Sequence, residues 1–192
     1  MNGDHALRDF DSIYREFQPK ILRYLGNLIS EDDAVDLTQT VFLKVSRSLD
    51  SFRGESSLST WIYRIATNSA HDHASSSLTQ QKRSELLLDE ETSLDDFPDQ
   101  DRPGTDSEYI RREMNACIRG VVDQLPENYR TVLLLSEFEE VGNAEIAEIL
   151  DLSIDTVKIR LHRARTALRK SMEGQCTFYH DDRNELMCDR KT

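Results

Sequence analysis

The residues from Asp155 to Lys170 include Lys158, Arg160, Arg163, Arg165, Arg169 and Lys170, spaced so that they crowd one side of a helix. Guanidinium and ammonium groups donate charge-assisted hydrogen bonds to phosphate oxygens, and they read base edges in a DNA groove. The whole chain carries a net charge of -12, so this stretch gathers positive charge against the trend of the molecule. Such a concentration is the electrostatic footprint of a nucleic-acid contact. A second chemistry lies in the tail GQCTFYHDDRNELMCDRKT, where Cys176, His180 and Cys188 supply thiolate and imidazole ligands that suit zinc or copper. If the tail is helical, Cys176 and His180 stand four apart on one face. Against a metal site, there is no C-x-x-C pair and no evident fourth ligand, so unrelated thiols are the plain alternative. No phosphate-binding glycine loop, nucleophile motif or metal triad occurs, which argues against an enzyme.

The elements that must position the cations come from the run NAEIAEILDLSIDTVKIRLHRARTALRK, residues 143–170. Ile146, Ile149 and Leu150 form one apolar stripe, and Leu152, Ile154, Val157, Leu161, Ala164 and Leu168 continue the spacing into a second helix. Ser153 is placed to cap that helix, with Asp155 in its first turn. A short helix, a tight turn and a longer basic helix make a helix-turn-helix. Its second helix presents Thr156 and Lys158 near the end that meets base edges, with Arg160 and Arg163 nearer the backbone. An ordinary amphipathic helix would also show a solvated basic face; the short helix and turn before it favour DNA binding.

Composition bounds the remainder. The 192 residues, 38% hydrophobic and 31% charged with seven Gly and four Pro, fit one domain or two small helical ones. No window is apolar enough to span a bilayer, and MNGDHALRDF lacks the basic and apolar parts of a secretory signal, so a cytoplasmic protein without membrane insertion is expected. Cys117, Cys176 and Cys188 are too scattered for a disulfide framework. Residues 85–108 hold ten carboxylates against one cation, Arg102, and are interrupted by Pro98, Pro103 and Gly104, which predicts an extended linker. Before it, Phe10, Ile13, Phe17, Ile21 and Leu25 predict one helix. Ser30 caps a second, whose outer side carries Asp36, Gln39 and Thr40. The segment 52–72 bears Trp61 beside Tyr63, Arg64 and Asn68. These side chains either stack on exposed bases or, with Leu58, Trp61 and Ile65 on one stripe, form core. Beyond the linker, Ile110, Met114, Cys117, Ile118, Val121, Val122 and Leu125 predict a further helix, and Pro126 opens the next.

Taken together, DLTQTVFLKVSRSLDSFRGESSLSTWIYRIATNSAHDH resembles region two of bacterial sigma factors, and LPENYRTVLLLSEFEEVGNAEIAEILDLSIDTVKIRLHRARTALRK resembles region four. The order and the acidic spacer match the extracytoplasmic-function group. The resemblance implies an all-α fold of two small helical domains. Residues 7–74 are region two, 75–107 a flexible linker, 108–171 region four, and 172–192 an additional tail, either regulatory or packed as a helical lid. It implies a non-enzymatic subunit that needs no cofactor, with core RNA polymerase, double-stranded and melted promoter DNA, and an anti-sigma factor as partners. On this reading Asp36, Gln39 and Thr40 bind core polymerase. Ser56, Ser57, Trp61, Arg64 and Asn68 read the minus-ten element, and Thr156, Lys158, Arg160 and Arg163 contact the minus-thirty-five element. Departures from the family pattern are HASSSLTQQKR where many members carry Arg, Asp151 at a turn where many have Gly, and Ile159 where a small polar residue is common. The alternative is a stand-alone helix-turn-helix regulator that senses metal or redox state through its tail.

Overall fold

A computed structural model describes residues 9–85, 118–180 and 186–191 of the chain. Helix α1 (Phe10–Gly26) begins at Asp9, whose carboxylate accepts the Ser12 N–H at 2.7 Å. Helix α2 (Glu31–Ser48) begins at Ser30, whose hydroxyl accepts the Asp33 N–H at 3.3 Å. Each cap satisfies a backbone donor that the first turn leaves open, an effect worth about 1 kcal/mol. A 3-10 turn, Leu49–Ser51, and a polar loop lead into α3 (Leu58–Glu85). The domain border expected at residue 74 therefore falls inside a continuous helix. Residues 75–85 contain neither Pro nor Gly, so nothing in them ends it. The rest of the acidic linker, with Ile110, Met114 and Cys117, lies outside the described residues.

The second half opens with α4, described over residues 118–123, followed by α5 (Glu127–Leu133) after Pro126. A π-helical turn, Leu134–Phe138, comes next, in which the Glu139 N–H donates to the Leu134 carbonyl at 3.1 Å. Helices α6 (Asn143–Leu150) and α7 (Ile154–Gln175) form the predicted helix-turn-helix. The tail departs from expectation. It is neither a helical lid nor a helix with Cys176 and His180 on one face. Strands β1 (Cys176–His180) and β2 (Leu186–Arg190) pair antiparallel, with Cys176 opposite Arg190 and Phe178 opposite Cys188. The run Thr177, Phe178, Tyr179 is β-branched and aromatic, which favours an extended backbone.

The core is shared by the two halves. Ile13, Ile21 and Leu25 of α1, Val41 and Val45 of α2, and Ile62 and Ala66 of α3 belong to one apolar cluster. That cluster also contains Val132, Leu135, Ile146, Ile149, Val157 and Leu161 of the second half. Tyr24 is fully buried, and its hydroxyl is 2.9 Å from that of Thr67. Pairing matters there because a buried hydroxyl left without a partner costs about 1–3 kcal/mol. On α3 the buried stripe is Ile62, Tyr63, Ala66, Ser69 and Ala70. This is one position on from the predicted stripe of Leu58, Trp61 and Ile65, which are only half-buried at its edge. The phase moves because α3 is packed by α1 and α2 and also by α6 of the other half.

Candidate nucleic-acid interface

The outer face of α2 leaves Asp36, Gln39 and Thr40 exposed together, as the sequence predicts. The Thr40 hydroxyl is turned back to the Asp36 carbonyl at 3.1 Å. Sequence reasoning missed two neighbours: Val35 and Leu43 are 48% and 56% exposed, one helical turn either side of Gln39. Both are apolar residues out of phase with the buried Ala34, Leu37, Val41 and Val45, and that mismatch was the available signal. The face thus combines polar groups with two apolar contacts that nothing in the chain covers among the described residues.

The loop before α3 turns at Gly54, whose φ of 69° is left-handed backbone that glycine adopts without a Cβ clash. Ser57 then caps α3, its hydroxyl accepting the Thr60 N–H at 3.0 Å. Trp61 lies half-buried with its ring 4.9 Å from that of Phe52, while Arg64 and Asn68 are exposed on the same side of the helix. Tyr63 does not join them. It is 3% exposed, and its hydroxyl donates to Glu139 Oε2 at 2.6 Å, so it cannot stack on a base. Burial is the main reason that the Tyr63 phenol is held well above the usual tyrosine range, with the Glu139 hydrogen bond and charge adding to it. Ser56, Trp61 and Arg64, with Arg53, line a cleft of about 510 Å³ whose far wall is Glu148 and Asp151 of the α6 end.

At the helix-turn-helix, Asp151 ends α6 in the left-handed conformation, φ 53° and ψ 50°, which Asp adopts at less cost than most residues. Ser153 caps α7 by accepting the Thr156 N–H at 3.2 Å, and the Ser153 and Thr156 hydroxyls are 2.8 Å apart. Lys158 and Arg163 are exposed, Lys158 at 4.0 Å from Asp155. Thr156 and Arg160 are half-buried. Arg160 helps line a second cleft, about 340 Å³, with Thr67 and His71 of the first half and Glu127 and Asn128 of the second. Arg165 is committed elsewhere: its Nε donates to Glu137 at 3.0 Å, and that guanidinium holds the Glu137 carboxyl below its ordinary range. Ile154, predicted as core, is 45% exposed, since it is the first residue of α7 and stands ahead of the packed Val157, Leu161 and Ala164. Ile159 is 52% exposed, between the cations.

The tail residues are placed by the hairpin. Residues four apart on a strand are separated by roughly 13 Å, beyond what Cys176 and His180 could bridge with one ion. Cys188, opposite Phe178, is one diagonal step from each. Cys176 is 2% exposed. Among the described residues no group of three His, Cys, Asp or Glu is arranged to hold an ion; the side chains of His180 and Cys188 lie outside them.

Two short motif-bearing stretches, in this order and with this helical frame, also match family models. Residues 13–78 match Sigma-70 region 2, and residues 115–168 match Sigma-70, region 4. The RNA polymerase sigma-H factor of Pseudomonas aeruginosa is 32% identical over 168 residues, covering 86% of this chain and 87% of its own. The ECF RNA polymerase sigma factor SigW of Bacillus subtilis is 33% identical over 178 residues, covering 88% of this chain and 91% of its own. The chain belongs to the extracytoplasmic-function sigma factors. Its fold is that of RpoE from Bartonella quintana in complex with the anti-sigma factor NepR, with TM-score 0.67 at 22% identity over 86% of this chain and 98% of that one. CnrH in complex with the cytosolic domain of CnrY gives a TM-score of 0.62 at 19% identity, over 88% of this chain and 91% of CnrH. Among the described residues of the sigma factor no helix is long and apolar enough to cross a membrane.

Proposed function

We propose that this sigma factor docks on core RNA polymerase with the outer face of α2, reads the minus-ten strand with the Ser56–Asn68 segment, and reads the minus-thirty-five duplex with α7. As an extracytoplasmic-function sigma factor it binds core polymerase, directs it to specific promoters and assists DNA opening. The observation that carries the residue assignments is the set of uncovered side chains. Asp36, Gln39 and Thr40 stand between exposed Val35 and Leu43 on α2, where a purely solvated face would need no apolar contact. Trp61, Arg64 and Asn68 pair an aromatic ring with donors, which suits an unstacked base, and extrusion of that base costs a few kcal/mol that stacking on the protein offsets. Lys158 and Arg163 are the exposed cations of α7 best placed for phosphate, with Thr156 at its cap and Arg160 toward the neighbouring half.

The chain contributes binding energy and no covalent chemistry, and it works where the polymerase works, in the cytoplasm. An anti-sigma factor is a fitting partner, since RpoE and CnrH are each held by a second protein. No cofactor is needed for this role. For the tail, we propose zinc or copper at Cys176 and Cys188, which the strand register sets one diagonal step apart. Metal analysis of wild type beside a Cys176→Ser, Cys188→Ser double variant tests it, and equal substoichiometric metal in both ends the idea. The function itself is tested by run-off transcription with purified core polymerase on a library of promoter fragments at fixed salt. Discrete new start sites are expected, and absence of core binding would defeat the reading.

A further inference from the structure

Helix α7 turns a large aliphatic side chain to solvent in the middle of its basic face. Ile159 is 52% exposed, whereas Val157 and Leu161, its neighbours at two residues on either side, are buried. Each residue of an α-helix advances the side-chain direction by roughly 100°, so Ile159 points nearly opposite the stripe of Val157, Leu161 and Ala164 that faces the core. Residues three and four away share its side: Asp155 and Thr156 before it, His162 and Arg163 after it, all exposed except the half-buried Thr156. Lys158 and Arg160 stand a little more than a quarter-turn away, one on each flank. The side of α7 that faces away from its own domain is thus an apolar centre between cations. The fold has no use for isoleucine there, since an exposed helical position is better served by Ala or Lys, whose helix propensity is higher.

The flanking cations identify what covers this centre. Ammonium and guanidinium groups on both sides suit the phosphates that wall a DNA groove, and the second helix of a helix-turn-helix enters the major groove. Ile159 then faces the base edges. It can give them no hydrogen bond, and a base-edge donor or acceptor pressed against it would lose its water without a partner in return. The apolar group that the major groove displays is the thymine C5-methyl. We propose that Ile159 reads a thymine methyl group in the minus-thirty-five element and so selects an A·T pair at one position, a specificity-determining role added to those of Thr156, Lys158, Arg160 and Arg163. Burial of one methyl group against the side chain favours that base about 4-fold over one lacking the methyl. The inference rests on the assignment of α7 to the minus-thirty-five duplex.

The test uses holoenzyme assembled from the full chain and purified core polymerase, on the promoter found by run-off transcription. Each thymine of the minus-thirty-five element, on either strand, is replaced in turn by uracil, which removes the methyl and keeps the base pair. Competition gel shifts should show one position at which wild type loses about 3- to 5-fold in affinity. Ile159→Ala should bind thymine and uracil equally there, and Ile159→Val should keep most of the discrimination. Both variants should melt as wild type does, because more than half of the side chain is already exposed. An element without an A·T pair, or one in which no uracil weakens wild-type binding, overturns the inference. A uracil effect that persists undiminished in Ile159→Ala assigns the methyl to another side chain and overturns it too. Replacement of the whole element by unrelated duplex separates this failure from that of the underlying reading. If the replacement costs wild-type holoenzyme nothing, α7 is not the reader; if it weakens binding while the uracil series is flat, α7 reads the element and only the role of Ile159 falls.

Discussion

Arg163 and Arg165 are two residues apart in sequence and equal in formal charge, yet they are set to different tasks. Arg163 is exposed, whereas Arg165 is held by Glu137. Exposed pairs of this kind add only about 0.2–1 kcal/mol to stability, so the pair's main effect is to spend a cation. Arg163→Ala should weaken promoter binding by the holoenzyme and reduce the slope of log affinity against log salt by about 1, while Arg165→Ala should leave that slope nearly unchanged. Filter binding across a salt series checks both. The buried phenols give a second residue-scale expectation. Tyr24 and Tyr63 are held neutral chiefly by burial and hold their protons above the ordinary value of 10.0. Below that value folded and unfolded chains are equally protonated at these sites and the stabilisation is complete. Above it the unfolded chain releases protons that the folded one retains, so stability is lost as pH rises, by about 1.4 kcal/mol per pH unit for each phenol. Urea midpoints should hold to about pH 10 and then fall, and Tyr63→Phe should fall less steeply; identical slopes would mean that Tyr63 is not protected.

Among the elements, α2 carries the sharpest prediction, because its proposed docking role needs an apolar contact that its fold does not. Leu43 is more than half exposed. Leu43→Glu should leave the melting temperature within a few degrees of wild type and abolish most of the affinity for core polymerase; retained affinity would move the docking face elsewhere. The caps and the helix-turn-helix were legible in the sequence because they are local. Ser30, Ser153 and Asp151 need only their own neighbouring backbone, and all three act as their types suggest. The hairpin was not legible, since CTFYH and LMCDR are short and only pairing with each other makes them strands. The phase of α3 was missed for a similar reason: Tyr63 is drawn inward by Glu139, seventy-six positions later in the chain, and no periodicity within the helix records that. Of the expected site residues, Asp36, Gln39 and Thr40 share the exposed face of α2, whereas Arg160 lines a cleft between the halves and the Ser57 hydroxyl bonds Glu145 of the other half.

At the scale of the whole molecule, charge and closure act in the same direction. The chain carries -12, and its exposed cations on α7 are outnumbered by carboxylates over the rest of the surface. A phosphate backbone approaching the free protein is attracted at one helix and repelled nearly everywhere else, so few condensed counterions are released and little affinity results. On the proposed reading closure adds a second deficit, because α6 packs on the segment assigned to the melted strand, where Glu145 bonds Ser57 and Thr60. The isolated chain should therefore bind its promoter, once identified by run-off transcription, no more than a few-fold better than unrelated duplex at physiological salt. Addition of core should restore sequence discrimination of about 1000-fold or more, the lower bound usual for specific sites. Competition gel shifts with and without core measure the two ratios side by side. Strong discrimination by the isolated chain would show that neither its charge nor its closed packing restrains it.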